Sequence, residues 1–147
     1  MPEFVPASPS DLDRLLAWIA ELYRHEHIAF DAAVVRPALA TLLEDPALGQ
    51  VWLIAVDGQP VGYLVLTFGY SLEYGGRTAL LDEVFVAEAY RGRGLGTRGL
   101  RFAAEQCRKL GVRTLQLEVE RHNQDAQRLY RATGFVERDR YLMSLLL

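Results

Sequence analysis

Apolar residues recur at two different spacings along the chain, and the change of spacing predicts where helices and strands alternate. The helical spacing is clearest at Leu12, Leu15, Leu16, Ile19, Leu22 and Tyr23. Just before them, Ser8 and Asp11 fit a capping box and Pro9 fits the first helical position. The sequence therefore predicts an amphipathic helix from about residue 9, with one face packed on a sheet.

Two β-rich runs, 51–56 and 61–68, flank a turn-forming Asp-Gly-Gln-Pro and predict a hairpin. Pro37 fits the first turn of a second helix, which Asp45-Pro46 ends, and Gly111 and Gly134 fit helix C-caps. The other predicted elements are strands over 3–7, 80–86 and 114–119, helices over 36–44, 97–110 and 124–133, and one or two final strands within 135–147. This order predicts an α+β fold over residues 1–147 as a single domain, with helices around a mostly antiparallel sheet.

Composition excludes several classes of protein. Half of the 147 residues are apolar and 24% are charged, which is globular usage. A net charge of −3 without a long basic run argues against nucleic acid as a partner. No apolar run reaches the ~18 residues of a membrane span, and the first residues lack a signal peptide's charge pattern. We therefore expect a cytoplasmic protein with no membrane partner.

Two features invite a reactive interpretation and are better explained otherwise. Cys107 lies on the apolar side of its predicted helix, which favours a small buried side chain over a nucleophile. His25, Glu26 and His27 are too close in sequence to share one helix face, so we expect no metal. The segment around them is interpreted as an exposed loop or one wall of a binding pocket.

The stretch Tyr-Arg-Gly-Arg-Gly-Leu-Gly at 90–96 joins a predicted strand directly to a predicted helix. Glycines before a helix N-terminus form an anion cradle, because the first backbone N–H groups are unpaired and the helix dipole is positive there. No lysine follows these glycines as a nucleotide-triphosphate loop requires, and Thr97 stands where a dinucleotide fingerprint needs its third glycine. The loop instead fits the pattern Arg-x-x-Gly-x-Gly, with Arg91, Gly94 and Gly96 at its fixed positions.

Three motifs in this order resemble the GNAT family of N-acetyltransferases. They are Leu-Asp-Glu-Val-Phe-Val at 81–86, the glycine loop, and the run from Leu117 to Phe135 with Asn-x-x-Ala-x-x-Leu-Tyr-x-x-x-Gly-Phe at 123–135. The resemblance covers about residues 80–136. It implies a GNAT-like sheet whose central strands splay apart, acetyl-coenzyme A as cosubstrate, direct transfer to an amine in a ternary complex, and no metal.

The resemblance also implies where the coenzyme lies. The loop is expected to hold the pyrophosphate through Arg91, Gly92, Arg93, Gly94, Leu95, Gly96 and Thr97. The exposed strand edge at Val84, Phe85 and Val86 is expected to pair with the pantetheine arm. Asn123 is expected both to cap its helix and to contact the coenzyme. Tyr130 is expected to reach the coenzyme sulfur and to act as the general acid.

Asp82 and Glu83 interrupt an apolar strand and are the candidates for the general base. Strand alternation puts Asp82 with Val84, and Glu83 with Leu81 and Phe85, unless a bulge intervenes. The pair resembles adjacent acidic residues of the diamine and polyamine acetyltransferase branch. Glu118 instead matches the base position of the ribosomal-protein N-terminal acetyltransferase branch. The sequence leaves the choice of base open.

Two segments, 21–30 and 70–74, are predicted to line the acceptor pocket with the substrate-binding residues Glu26, Phe30, Tyr70 and Glu73. Carboxylates and aromatic rings suit a small cationic amine. The alternatives are a peptide or protein acetyltransferase acting on N-termini or lysines, and a non-catalytic acetyl-coenzyme A-binding module. The intact loop, Tyr130 and the strand carboxylates favour an enzyme. Homodimer formation is left open.

Overall fold

The computed structural model describes residues 1–147 as five strands and four helices. In chain order they are β1 (Pro2–Pro6), α1 (Leu12–His25), α2 (Ala32–Glu44), β2 (Gly49–Val56), β3 (Gln59–Ser71), β4 (Gly76–Val86), α3 (Leu95–Lys109), β5 (Thr114–Gln116) and α4 (Gln124–Thr133). Short 3₁₀ turns at Pro9–Asp11 and Glu88–Tyr90 precede α1 and follow β4. No helix is both long enough and apolar enough to cross a membrane.

The strands lie side by side in the order β1-β2-β3-β4-β5. The first four are antiparallel, and β5 runs parallel to β4, which confirms the predicted α+β fold with a mostly antiparallel sheet. β5 pairs with β4 only from Thr78 to Leu80. Beyond Leu80, β4 therefore has a neighbour on one side only, and the expected splay between the two central strands is present.

Helices cover both faces of this sheet. The core on the α1 and α2 face consists of Leu15, Ile19, Leu39, Val51, Leu53, Tyr63, Val65 and Phe85. The core on the α3 face consists of Trp52, Leu64, Leu66, Ala79, Leu81, Leu100, Ala103 and Cys107. Burial on two faces explains why β2 and β3 read as nearly continuous apolar runs. Cys107 is buried, as predicted.

β4 contains a bulge that reverses the order of its inward and outward side chains. Val65 lies opposite Glu83, whereas the next β3 residue, Leu66, lies opposite Leu81, so Asp82 is an extra residue without a partner. As a result Leu81 packs on the α3 face and Phe85 packs on the α1 face. The simple alternation that grouped Leu81 and Phe85 on one face was wrong.

Helix ends follow local hydrogen bonding. The Ser8 N–H donates to Asp11 Oδ2 at 2.9 Å, as the predicted capping box requires. α2 begins four residues earlier than predicted, because Asp31 Oδ1 accepts the Ala33 N–H at 2.9 Å and caps the helix there. Pro37 therefore lies inside α2 rather than in its first turn.

The end of the chain departs most from prediction. β5 ends at Gln116 rather than residue 119, and residues 135–147 form neither helix nor strand, so the predicted final strands were wrong. Side chains hold this segment instead. Arg138 and Arg140 both pair with Glu73, at 3.1 and 3.0 Å, and the Arg121 guanidinium lies 5.2 Å from the Tyr141 ring centre.

Candidate functional site

The glycine loop after β4 adopts a backbone that favours glycine. Gly92 and Gly94 both have φ of +76°, and Gly94 is the N-cap residue of α3. A Cβ added at Gly92, Gly94 or Gly96 would meet no atom within 4 Å, so these positions face open space. The loop therefore leaves its backbone accessible to a ligand.

The first turn of α3 supplies unpaired donors beside that open space. The first N–H to bond within the helix belongs to Arg98, which donates to Gly94 O at 3.1 Å. The N–H groups of Leu95, Gly96 and Thr97 precede it and have no partner in the helix. Leu95 and Gly96 also line an open pocket of about 260 Å³, together with Val84, Val86, Tyr90, Arg91, Gly92 and Gly94. This end of the helix attracts anions.

Two arginines fold back against the same loop. Arg91 Nε donates to Val86 O at 2.8 Å, and its guanidinium lies 5.6 Å from the Phe85 ring centre. Arg93 donates to Ala89 O at 3.2 Å and lies 5.1 Å from the Tyr90 ring centre. Each guanidinium keeps further N–H groups for an anion, since it has five. Arg91 thus lines the pocket, and the Arg93 guanidinium is held over Tyr90, which also lines it.

The free edge of β4 exposes alternate backbone groups. The Ala87 N–H donates to Val61 O at 2.7 Å, so Ala87 and Val61 form a hydrogen-bonded pair of the β3–β4 ladder. Alternation along an antiparallel ladder then turns the polar groups of Phe85 to β3 and those of Val84 and Val86 to the open side. Val84 and Val86 therefore present the edge that a ligand can reach, and Phe85 contributes its ring to the core.

Glu83 lies on the α1 face of β4 and is held by two phenols. Tyr23 Oη donates to Glu83 Oε2 at 2.7 Å, and Tyr63 Oη donates to Oε1 at 2.8 Å. Burial raises the pKa of Glu83, the two phenol hydrogen bonds lower it, and the charges of Asp82 and Glu26 raise it; the net shift is upward. Each carboxylate oxygen retains a second lone-pair direction, so the group can still accept a proton.

Asp82 and Glu26 lie near Glu83 and stand in more open positions. Asp82 is the bulged residue and is exposed, although the atoms packed around its carboxyl group raise its pKa. Glu26 follows the last turn of α1, and partial burial, followed by the charge of Glu120, raises its pKa. Solvent screening limits both shifts, since both residues are exposed. Neither carboxylate makes the paired phenol contacts of Glu83.

Tyr130 lies on α4, and Asn123 is the residue that caps the N-terminus of this helix. Asn123 Oδ1 accepts the Ala126 N–H at 3.2 Å, which is the predicted cap. Tyr130 packs edge-on to Phe135 at 6.0 Å, and burial followed by the charge of Glu26 raises the pKa of its hydroxyl. The charge of Glu26 also raises the pKa of Glu83, so Glu26 influences both the phenol of α4 and the carboxylate of β4.

A second hollow of about 390 Å³ lies beside the N-terminus of α4. Its lining is entirely polar and consists of His122, Asn123, Gln124, Asp125 and Arg128. It lacks the open strand edge and the glycines that border the pocket at α3. The glycine loop, the open strand edge and the unpaired helix donors are thus all found at the smaller pocket.

The structure separates two predicted site residues, Tyr70 and Glu73, from Glu83. Tyr70 lies opposite Arg77, six residues from Glu83 and so roughly 20 Å along β4. Glu73, in the turn after β3, is occupied by Arg138 and Arg140, which lower its pKa. Glu118 follows β5 and is exposed. Phe30, in contrast, packs 6.0 Å from Tyr23 and lies close to the Glu83 cluster.

Tyr23 and Tyr63 were not predicted as site residues. Their helical and strand patterns indicated core positions, and both do pack in the α1-side core. No group of three or more histidine, cysteine, aspartate or glutamate residues is arranged to hold a metal ion.

Comparison with known proteins identifies the family. Residues 12–135 match the model of the acetyltransferase (GNAT) family. The aminoalkylphosphonate N-acetyltransferase of Salmonella typhimurium is 28% identical over 129 residues, covering 88% of this chain and 81% of that protein. The thialysine N-epsilon-acetyltransferase of Bos taurus is 29% identical over 137 residues, covering 87% of this chain and 80% of that protein.

Solved structures give the same result for the fold. An integron cassette protein from the mobile metagenome of Cole Harbour Salt Marsh is 35% identical, with a TM-score of 0.85, over 98% of this chain and 90% of that chain. A possible acetyltransferase from Clostridium difficile 630 is 22% identical, with a TM-score of 0.89, over 100% of this chain and 98% of that chain. The second likeness shows the shared fold.

Proposed function

The chain belongs to the acetyltransferase (GNAT) family and is an N-acetyltransferase, and from that premise we propose that it transfers the acetyl group of acetyl-coenzyme A to the primary amine of a small cationic acceptor. The coenzyme pyrophosphate is held by the N–H groups at the start of α3, with Arg91 and Arg93 in the same loop. The pantetheine arm pairs with the open edge of β4 at Val84 and Val86. No metal takes part.

One observation carries the choice of acceptor: the site beside β4 is acidic and phenolic. Tyr23 and Tyr63 both donate to the Glu83 carboxylate. The charges of Glu83, Asp82 or Glu26 raise the pKa of each group in this cluster and of Tyr130, and no cation is among the causes that lower these pKa values. An ammonium group is stabilised in such a site, and an anionic group is repelled. The acceptor side of the cleft therefore selects for positive charge.

The chemistry follows from Glu83 and Tyr130. Glu83 takes one proton from the acceptor ammonium, directly or through a water, because an alkylammonium with a pKa near ~10 is otherwise almost fully protonated at neutral pH. The free amine attacks the thioester carbonyl in a ternary complex, so a C–N bond forms and the C–S bond breaks. Tyr130 gives its proton to the departing thiolate. The nitrogen's second proton leaves as the amide forms and restores the Tyr130 hydroxyl. Partial burial of both groups suits these roles, because it raises the pKa of each.

The two relatives are named for acceptors that differ in charge. Thialysine carries a lysine-like side-chain amine, whereas an aminoalkylphosphonate adds an anionic group to the amine. The carboxylates around Glu83 favour the first kind of acceptor. We therefore place the acceptor among diamines, polyamines and lysine-like amino acids.

An acceptor panel with detection of the released coenzyme A thiol tests this proposal. The panel contains putrescine, spermidine, thialysine, lysine, aminoethylphosphonate, an aminoglycoside and a peptide with a free N-terminus. We expect amine-dependent thiol release that is highest with putrescine, spermidine or a lysine-like amine. Highest turnover with aminoethylphosphonate or the peptide would overturn the acceptor class. Thiol release that no amine increases would overturn the transfer itself.

A further inference from the structure

The Glu83 carboxylate is fixed by hydroxyl groups from two separate elements. Tyr23 of α1 binds one carboxylate oxygen at 2.7 Å, and Tyr63 of β3 binds the other at 2.8 Å. Two donors on two oxygens define both the position and the plane of a carboxylate. The side chain of Glu83 is thereby held in one orientation on the α1 face of the sheet.

The two phenols differ in their surroundings. Tyr63 is completely buried and packs against both Trp18 and Phe85, with ring centres 6.3 and 5.8 Å away. Tyr23 is only partly buried and packs edge-on to Phe30. The Tyr23 carbonyl also accepts the Ile28 N–H at 2.9 Å. Tyr23 therefore connects Glu83 to the α1–α2 segment, whereas Tyr63 connects it to the core.

The charged and titratable neighbours of Glu83 make these hydroxyls important. The groups that act on it are Tyr23 from α1, Glu26 just after α1, Tyr63 from β3 and Asp82 from β4. Both carboxylates disfavour a second negative charge at Glu83, and burial disfavours it further. Among these groups only the phenols donate hydrogen bonds to the ionised form.

We propose that Tyr23 is a positioning residue for Glu83: its hydroxyl fixes the carboxylate and stabilises its charge, so that Glu83 is ready to take the acceptor's proton. This inference rests on the proposed function, in which Glu83 is the proton acceptor. Because Tyr23 also contacts Phe30 and the segment after α1, the same residue ties the orientation of Glu83 to one wall of the acceptor site.

The test replaces Tyr23 with phenylalanine, which removes the hydroxyl and keeps the ring. A 13C NMR titration of the glutamate carboxyl carbons, assigned with Glu83→Gln, follows Glu83 without any acceptor. We expect the Glu83 titration to move upward by about one pH unit, as loss of a hydrogen bond to a charged group predicts. With putrescine as the probe, the acid limb of kcat/KM should move by the same amount. Tyr74→Phe, a half-buried tyrosine in the turn after β3, is the control and should move neither.

A double-mutant cycle separates positioning from a structural role. Tyr23→Phe should lower kcat/KM at pH 7 roughly tenfold in the wild-type background and have no further effect in Glu83→Gln. An equal loss in both backgrounds, or a Glu83 titration that does not move, would overturn the inference while leaving the proposed function standing. Tyr63→Phe, which removes the other donor, should shift the titration in the same direction. If Glu83→Gln keeps the wild-type rate and pH profile, the base assignment in the proposed function fails as well.

Discussion

In the function proposed above, the two sides of β4 bind by different means. On the side of β5 and α3, recognition depends on backbone groups: the open edge at Val84 and Val86, and the unpaired N–H groups after Gly94. On the side of α1, it depends on side-chain oxygens, because Glu83 is held by Tyr23 and Tyr63. A backbone site tolerates many side-chain changes and fails when a Cβ fills the cradle. A side-chain site fails when a single oxygen atom is removed.

The bulge at Asp82 separates these two sides. Without it, Leu81 and Phe85 would point to the same face, whereas they pack in opposite cores. The extra residue allows β4 to bury apolar side chains under α3 before the bulge and to turn Glu83 and Phe85 towards α1 after it. In the proposed function, one strand thereby contributes an edge to one substrate and a carboxylate to the other.

The largest expected effect comes from blocking the backbone site at the start of α3. In Gly94→Glu, the side chain occupies the open space of the pocket and brings a negative charge to the helix N-terminus, so acetyl-coenzyme A affinity should fall more than about a hundredfold. Isothermal titration calorimetry measures the affinity. Gly58→Glu is the matched control, because Gly58 has a similar φ of +77° and equally open surroundings in the β2–β3 turn.

Both glycine variants should lose a similar stability of roughly 1–2 kcal/mol, since each places an L-residue in the left-handed region. Only the Gly94 variant should lose the coenzyme. If Gly94→Glu is folded and binds acetyl-coenzyme A as tightly as the wild type, the loop is not the pyrophosphate site.

Features built from residues that are adjacent in sequence could be predicted, and features built from distant residues could not. The loop at 90–97 is contiguous, so its glycines and the following helix were visible in the sequence, and the structure has the cradle there. The Glu83 cluster was hidden, because Tyr23 and Tyr63 lie 60 and 20 residues away and each fits an ordinary apolar pattern. No glycine or proline marks the bulge at Asp82. The bulge is visible only in the pairing of β4 with β3.

The strand prediction for the last 13 residues was wrong for a different reason. Residues 135–147 are rich in apolar residues, which favoured a strand prediction. A strand needs a neighbour as well as a propensity, and propensity is weak evidence without one. Here Arg138 and Arg140 bind Glu73 instead, which also removes Glu73 from the predicted acceptor wall.

The next prediction tests whether Tyr130 of α4 takes part in catalysis. Tyr130→Phe removes a hydroxyl and little volume, so the packing against Phe135 should persist. We expect kcat to fall by roughly ten- to a thousandfold, as loss of general acid catalysis predicts, with coenzyme affinity unchanged. Steady-state kinetics with the best acceptor of the panel, together with calorimetry, measures both. Wild-type turnover in this variant would return Tyr130 to a packing role.

The last prediction compares the carboxylates of Glu83, Asp82 and Glu118 as candidates for the general base. Glu83→Gln should lower kcat/KM at pH 7 roughly ten- to a hundredfold and recover in part at high pH, where solvent deprotonates the amine. Asp82→Asn should have a smaller effect, because the Asp82 carboxylate is exposed and the structure gives it no phenol donors. Glu118→Gln is the rival test, and we expect it to retain the wild-type pH profile.

Stability distinguishes loss of a base from loss of the fold. The pKa of Glu83 is raised in the folded state, so the native protein holds that proton more tightly than the unfolded chain does. Its ionisation therefore reduces stability as pH rises from the unfolded pKa, near ~4.3, through the higher folded value. Glu83→Gln removes this penalty, and its melting temperature at pH 7 should be no lower than that of the wild type. A stable Glu83→Gln protein with full activity, beside an inactive Glu118→Gln protein, would move the base to the β5 side of the cleft.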